Sequence, residues 1–149
     1  MLLDFKPFYT PKQMLSGGVF EGKYFGAIRH EFPSEWFVNA RISSVAHPLL
    51  NKWGVKSRMS LSMWQRMGWI EPIDPEGWAA WYFRYTLGRR CYDDARQIRR
   101  WRGMVRHEAQ LMLAGGDLSK RRRQRQTCFQ WARNDTPDIV LKPPDLFGV

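Results

Sequence analysis

The sequence predicts one mainly α-helical domain, 1–149, with an aromatic-rich core and an extended C-terminal tail. Three observations lead there. Val, Ile and Thr, the types that strands favour, total only 17 of 149 residues. Cap residues and glycines punctuate the chain at helix-like intervals. Between them, apolar residues recur with helical spacing instead of alternating. The length suits a single compact domain with a core of its own. Leu, Ile, Val and Phe supply just 34 residues, close to the lower limit for a globular chain. Eight Trp, nine Phe and five Tyr make up the deficit, because each buried ring removes a large area from water.

Residues 1–9 read as an irregular entry. Thr10-Pro11 supplies a cap with Pro at the first helical position, and Gly17-Gly18 ends that helix. Residues 19–32 lack clean periodicity and read as either a hairpin or an irregular loop. A helix opens at Ser34 with Trp36 and Phe37, and must stop before His47-Pro48 because a residue preceding Pro avoids helical geometry. Ser60 caps the next helix and Gly68 ends it. Asp74-Pro75 reads as a further cap. Behind it, Trp78, Trp81, Tyr82 and Tyr85 form one stripe at i, i+3, i+4 and i+7, closed by Gly88. Asp93 or Asp94 begins the longest helix, which runs to Gly115-Gly116 with Ala95, Ile98, Trp101, Val105, Ala109 and Met112 on its apolar arc. Ser119 caps a last helix, from Lys120 to about Arg133, before a Pro-bearing tail from Asn134.

Charge is concentrated in one part of this pattern. The chain carries +10, and residues 84–133, with 14 basic and 4 acidic side chains, hold all of that excess. Seventeen of the 24 cations are Arg, whose planar fork grips phosphate bidentately. Arg89 and Arg90 follow the aromatic helix, and Arg96, Arg99, Arg100 and Arg106 lie beside and opposite the apolar arc. Lys120, Arg121, Arg122, Arg123 and Arg125 crowd the first turn of the last helix. Cations there oppose the positive end of the helix dipole, at a cost of about 0.3–1 kcal/mol each, and a bound anion removes the conflict. These eleven side chains are the predicted nucleic-acid contacts, to phosphates and with duplex DNA favoured over RNA. The alternative is a solvated face that keeps the chain soluble or pairs with its own carboxylates. Trp101, Phe129 and Trp131 interleave with the block as base-stacking groups would, but core packing is the more ordinary use of each.

Catalytic signals are sparse. Asp93, Asp94 and Glu108 offer oxygen ligands or acid–base groups, and His107 lies among the arginines. Helix capping is the commoner role for the two aspartates, and a surface His beside phosphate contacts the commoner role for His107. No metal-ligand spacing, P-loop, dinucleotide fingerprint or GxSxG motif occurs, so no metal and no cofactor is expected. Cys91 and Cys128 have no nucleophile motif around them and suit a reducing compartment. No apolar run approaches the ~18 residues of a membrane span, and the amino end lacks a signal-peptide pattern. The expectation is a soluble, cytoplasmic protein without a membrane partner.

Residues 18–131 resemble a family of small proteins of uncharacterised activity from bacteriophages, bacteria and algae. The matching stretches are Gly18-Val-Phe-Glu-Gly-Lys-Tyr24, Gly54-Val-Lys-Ser-Arg58, Gly77-Trp-Ala-Ala-Trp-Tyr-Phe-Arg-Tyr85, Gly88-Arg-Arg90 and Asp93-Asp-Ala-Arg-Gln-Ile-Arg-Arg-Trp101. The triple-arginine run and the tail lie outside the likeness. The resemblance implies a recurring domain and no particular reaction. Three functions follow in order of preference. The first is a nucleic-acid binder using the Arg-rich face. The second is an enzyme acting on nucleic acid or a modified base through Asp93, Asp94, His107 and Glu108. The third is a phage-type inhibitor gripping an acidic protein partner.

Overall fold

The computed structural model describes residues 4–139, and among them every regular element is helical. Thr10 starts α1 (Pro11–Gly17) with a complete capping box: its hydroxyl accepts from the Gln13 amide, and the Gln13 side chain accepts from the Thr10 amide. Gly18, at φ +106°, turns the chain so tightly that a Cβ would sit 1.9 Å from the Leu50 carbonyl oxygen.

Residues 19–32 form no hairpin. They are a chain of single turns, with α2 (Phe25–Ile28) between 3-10 turns at Phe20–Gly22 and Arg29–Glu31. Phe20, Glu21 and Tyr24 all have left-handed backbone, at φ 51°, 59° and 80°, a costly state for residues with a Cβ. Side chains from elsewhere hold it: Gln130 accepts from the Phe20 amide at 3.0 Å, and Asn51 from the Glu21 amide at 2.7 Å.

The helix expected from Ser34 shrinks to a 3-10 turn, Ser34–Phe37. Its followers bond to the α1–Gly22 region instead: Arg41 donates to the Leu15 carbonyl, Ser43 to Gly22, His47 to Glu21 and Lys52 to Gly18. These distant acceptors outcompete the local helical ones.

Ser60 caps α3 (Leu61–Arg66) as expected, accepting from the Met63 amide. The cap read at Asp74 is different. α4 (Trp78–Thr86) begins behind Gly77, and Asp74 is buried, taking Arg84 at 2.8 Å and Arg89 at 2.6 Å. Positions 78–83 of α4 are all buried, not one stripe alone, so α4 is the central helix of the domain. Rings surround it. Phe5 contacts Trp81, Tyr82, Tyr85 and Trp101 with centroids 5.0–5.7 Å apart, and Phe25 stacks on Phe83 at 4.4 Å. Trp101 and Phe129 belong to this core.

The long helix is broken. α5 (Asp94–Gly103) and α6 (Val105–Leu111) meet at Met104, and a 3-10 turn, Met112–Ala114, follows. The tighter turn at Met104 moves the inward stripe back by one residue. Met104, Leu111 and Ala114 are therefore buried, whereas Val105, Ala109 and Met112 are exposed. The last helix, α7 (Arg122–Gln130), starts two residues later than expected, behind a left-handed Arg121 at φ 57°. Ser119 does not cap it; its hydroxyl donates to Asp117 at 2.6 Å. Of the expected tail, residues 134–139 pack against the body, with Asp135 and Asp138 buried. Pro143-Pro144 lies outside the described residues.

Arg125 joins α7 to that segment. Its carboxylate partner Asp138 lies at 2.7 Å, with both side chains almost wholly enclosed. Removing one partner of such a pair strands a buried charge and costs about 3–5 kcal/mol. Arg125→Met is accordingly expected to lower the urea-unfolding free energy by about that amount at pH 7. Arg125, helped by the Gly116 amide, holds the Asp138 carboxyl down at about 2, against 3.8 without the fold. The stabilisation linked to this depressed value is present above pH 3.8 and is lost as pH falls toward 2. The deficit of Arg125→Met relative to the natural chain should therefore narrow in urea titrations across that window.

Candidate functional site

The eleven predicted contact residues divide by what holds them. Arg125 is fully buried and leaves the set. Arg89 is bound by both carboxylate oxygens of Asp74, and Arg96 by Asp93 at 2.6 Å. These three are internal partners, as the competing carboxylate reading allows, and their charges are spent inside the fold. Arg90 folds back over the Tyr85 ring, 3.6 Å from its centroid, and donates to two carbonyls of its own chain. Arg99, Arg106, Lys120, Arg121, Arg122 and Arg123 are exposed. Arg122 still reaches the Trp53 carbonyl and Arg121 the Gln124 side chain. Of the fourteen cations in residues 84–133, eight have no carboxylate partner among the described residues.

Two of the exposed groups are neighbours across helices. α6 lies against α7, where Gln124 donates to the His107 ring at 2.9 Å and also to Gln110. Arg106 adjoins His107 in sequence, Arg123 adjoins Gln124, and Arg121 donates to the Gln124 side-chain oxygen. One stripe of α7 then continues from Arg123 and Gln124 through Thr127 to Gln130 and Trp131.

That stripe borders a cavity of about 550 Å3, within the roughly 300–1,000 Å3 of sites that enclose small ligands. Phe20, Trp64, Trp69, Trp78 and Trp131 give it five aromatic walls, and Thr127, Gln130, Arg58, Arg100, Arg106, His107 and Glu76 also line it. Most of its polar groups already have partners. Glu76 binds Arg84 at 3.1 Å. The Arg58 Nε lies 3.2 Å from Glu21, and its Nη1 donates to the Tyr24 hydroxyl. Gln130 accepts from Phe20 and donates to the Ser57 carbonyl.

Exposed Arg106 has no carboxylate partner among the described residues, and neither does the more enclosed Arg100. Its Nη1 donates to the Trp69 carbonyl and to Gln97, and its guanidinium sits 5.2 Å from the Trp131 ring centre. No carboxylate pairs with it among the described residues. Burial first, and then the Arg96 charge, pull it down to about 10. Trp78 adds a second unmet need, since its buried indole N–H has no acceptor.

The expected catalytic group is not assembled. Asp94 is buried, accepting from the Trp81 indole at 2.8 Å and from the Cys91 amide. Asp93 is buried with Arg96 and Gln97. Neither lines the cavity. Glu108 is taken by Arg133 at 2.9 Å and by the Asn134 amide. His107 alone reaches the cavity. No group of three or more His, Cys, Asp or Glu gathers as a metal cluster among the described residues, and no helix there is long and apolar enough to cross a membrane. Burial pushes both thiols up, Cys128 to about 12, so neither is an activated nucleophile.

The cavity residues Arg58, Trp64, Trp69 and Trp78 escape sequence reasoning, because each reads as ordinary core or loop until four separate segments meet. No family model, curated protein or solved structure matches the chain.

Because Gln124 donates to its Nδ1, the neutral His107 ring keeps its proton on Nε2. Burial first, and then the Arg106 charge, hold its titration below the usual 6.5. Nitrogen NMR of the ring should show the Nε2-protonated tautomer at pH 7, and Arg106→Gln should raise the titration midpoint toward the ordinary value. A midpoint unmoved by that substitution contradicts the assigned surroundings.

Proposed function

We propose that the protein binds nucleic acid, duplex DNA in preference to RNA, by gripping phosphates with Arg99, Arg106, Lys120, Arg121, Arg122 and Arg123. The observation that carries this reading is the cationic excess left after internal pairing. Arg89, Arg96 and Arg125 have carboxylate partners, yet these six are exposed without one among the described residues. A polyanion compensates such a set, releases its own counterions and gains affinity with each contact. The turn at Arg121 also favours this use. It sets Lys120–Arg123 in and before the first turn of α7, where no acidic side chain balances the dipole. Phosphate contacts of this kind orient a protein on a duplex without reading its bases.

Six such contacts predict an affinity that falls by about 10^3 between 50 and 200 mM salt. Fluorescence anisotropy with a labelled duplex of arbitrary sequence measures it, with an RNA duplex of the same sequence alongside. Replacing Arg121, Arg122 and Arg123 by Gln should flatten the log–log salt slope by about 0.9 for each phosphate that is no longer neutralised. An affinity indifferent to salt overturns the proposal and leaves an acidic protein surface as the partner to seek.

A further inference from the structure

We infer that the aromatic cavity between α3, α4, α5–α6 and α7 is a nucleotide site, holding one unstacked base against its Trp walls and that nucleotide's phosphate against Arg100 and Arg106. The inference deepens the proposed function and rests on it for one point only, that the nucleotide reaches the site as part of a strand.

Three features of the cavity specify the ligand. Five rings line it, and Trp78 and Trp131 stand only 4.7 Å apart between centroids, as tightly packed aromatic surface. Such walls accept any flat ring by stacking, without selecting one base. Their charge is unbalanced. Glu76 and Arg58 are each neutralised by partners in the fold, whereas Arg100 and Arg106 have no carboxylate among the described residues. A neutral aromatic guest leaves both charges uncompensated, and a monoanion or dianion at the rim answers them. Finally, one donor remains for a heterocycle's ring nitrogen or carbonyl oxygen. The His107 Nε2 proton has no protein partner among the described residues. A flat ring that is polar at its edge and bears an anionic group describes a nucleotide better than an aliphatic acid or a neutral arene.

The location supplies the link to a strand. Arg106 is both a cavity residue and a member of the exposed cationic set. Arg123 stands one turn before Thr127 on the α7 stripe that forms one wall. A backbone following these cations passes the mouth, and a base unpaired at that point can turn inward, which is cheapest at a bulge or in a single strand.

Two measurements on the full chain separate this inference from the reading beneath it. Tryptophan fluorescence is titrated with nucleoside 5′-monophosphates, with the matching nucleosides and with inorganic phosphate. Saturable quenching by the monophosphates, at least tenfold tighter than by either fragment, is expected. Arg100→Met should weaken that binding about tenfold without altering the helical circular dichroism. Trp69→Ala keeps the backbone carbonyl that Arg100 uses, and should weaken monophosphate and nucleoside alike by about tenfold. In the second measurement, a duplex with one bulged nucleotide competes with its fully paired counterpart, and the bulged duplex is expected to bind at least tenfold tighter. Salt-dependent binding of both duplexes with equal affinity and no quenching overturns the nucleotide site and leaves the phosphate grip standing. Quenching by monophosphates with no affinity for either duplex overturns the strand reading and leaves a site for free nucleotides.

Discussion

Arg125 carries a positive charge into the interior and has no exposed side-chain surface, yet each of its five N–H groups finds an oxygen. Its Nε donates to the Lys120 carbonyl. One Nη reaches the Asp135 carbonyl and Asp138, and the other reaches the Asp117 carbonyl and Asp138. A guanidinium that satisfied is compatible with burial; one with a partner missing is not. The consequence is geometric. The 117–120 turn, the start of α7 and the 135–138 segment must take up one arrangement, because only that arrangement supplies all five acceptors. The same arrangement directs Lys120–Arg123 to the surface, where their charges have no partner of this kind.

Carboxylates elsewhere do similar sorting. Asp74 gathers Arg84 and Arg89 at the side of the central helix, with Glu31 and Glu76 completing the set around Arg84. Asp135 accepts from the Tyr9 hydroxyl and the Trp53 indole and pairs with Lys52 at 2.7 Å, joining segments 126 residues apart. A chain rich in arginine thereby uses part of its charge as internal glue. What remains is Arg90 after α4, Arg99 on α5, the cations of α6 and the start of α7, and Arg100, which has the Trp131 ring beside it and no carboxylate among the described residues. That division matters for any function resting on charge, because only the second group is free to meet an outside anion.

The aromatic core and the cavity are two results of the same composition. With few branched aliphatic residues available, rings fill the space around α4. Flat, rigid side chains pack edge to face or stacked, and they tile a curved interior less completely than small aliphatic groups. Where α3, α4, α5–α6 and α7 converge, the tiling leaves the cavity of about 550 Å3. The left-handed turns at Phe20 and Glu21 are tolerated because Gln130 and Asn51 hold their amides in place. The Phe20 turn, beside the cavity, is thus held by a hydrogen bond from α7, the helix that forms one of the cavity walls.

Helical class, the aromatic core and several boundaries were legible in the sequence. Thr10-Pro11, Ser60, Gly88 and the spacing of Trp78, Trp81, Tyr82 and Tyr85 act through neighbours within one or two turns, so their meaning survives without the fold. The concentration of charge in residues 84–133 was equally plain. The fate of each arginine was not. Arg99 and Arg125 look alike in sequence, and only Asp138, Asp135 and the 117–120 carbonyls make one of them internal. The turn at Met104, the loss of the helix after Ser34 and the cavity itself depend in the same way on acceptors and surfaces brought from far along the chain. Short-range hydrogen bonds and periodicity belong to the sequence alone. Burial of charge, the register of a packed helix and the space left between helices are decided by the tertiary structure, because the free energy of each depends on groups that only folding brings within reach.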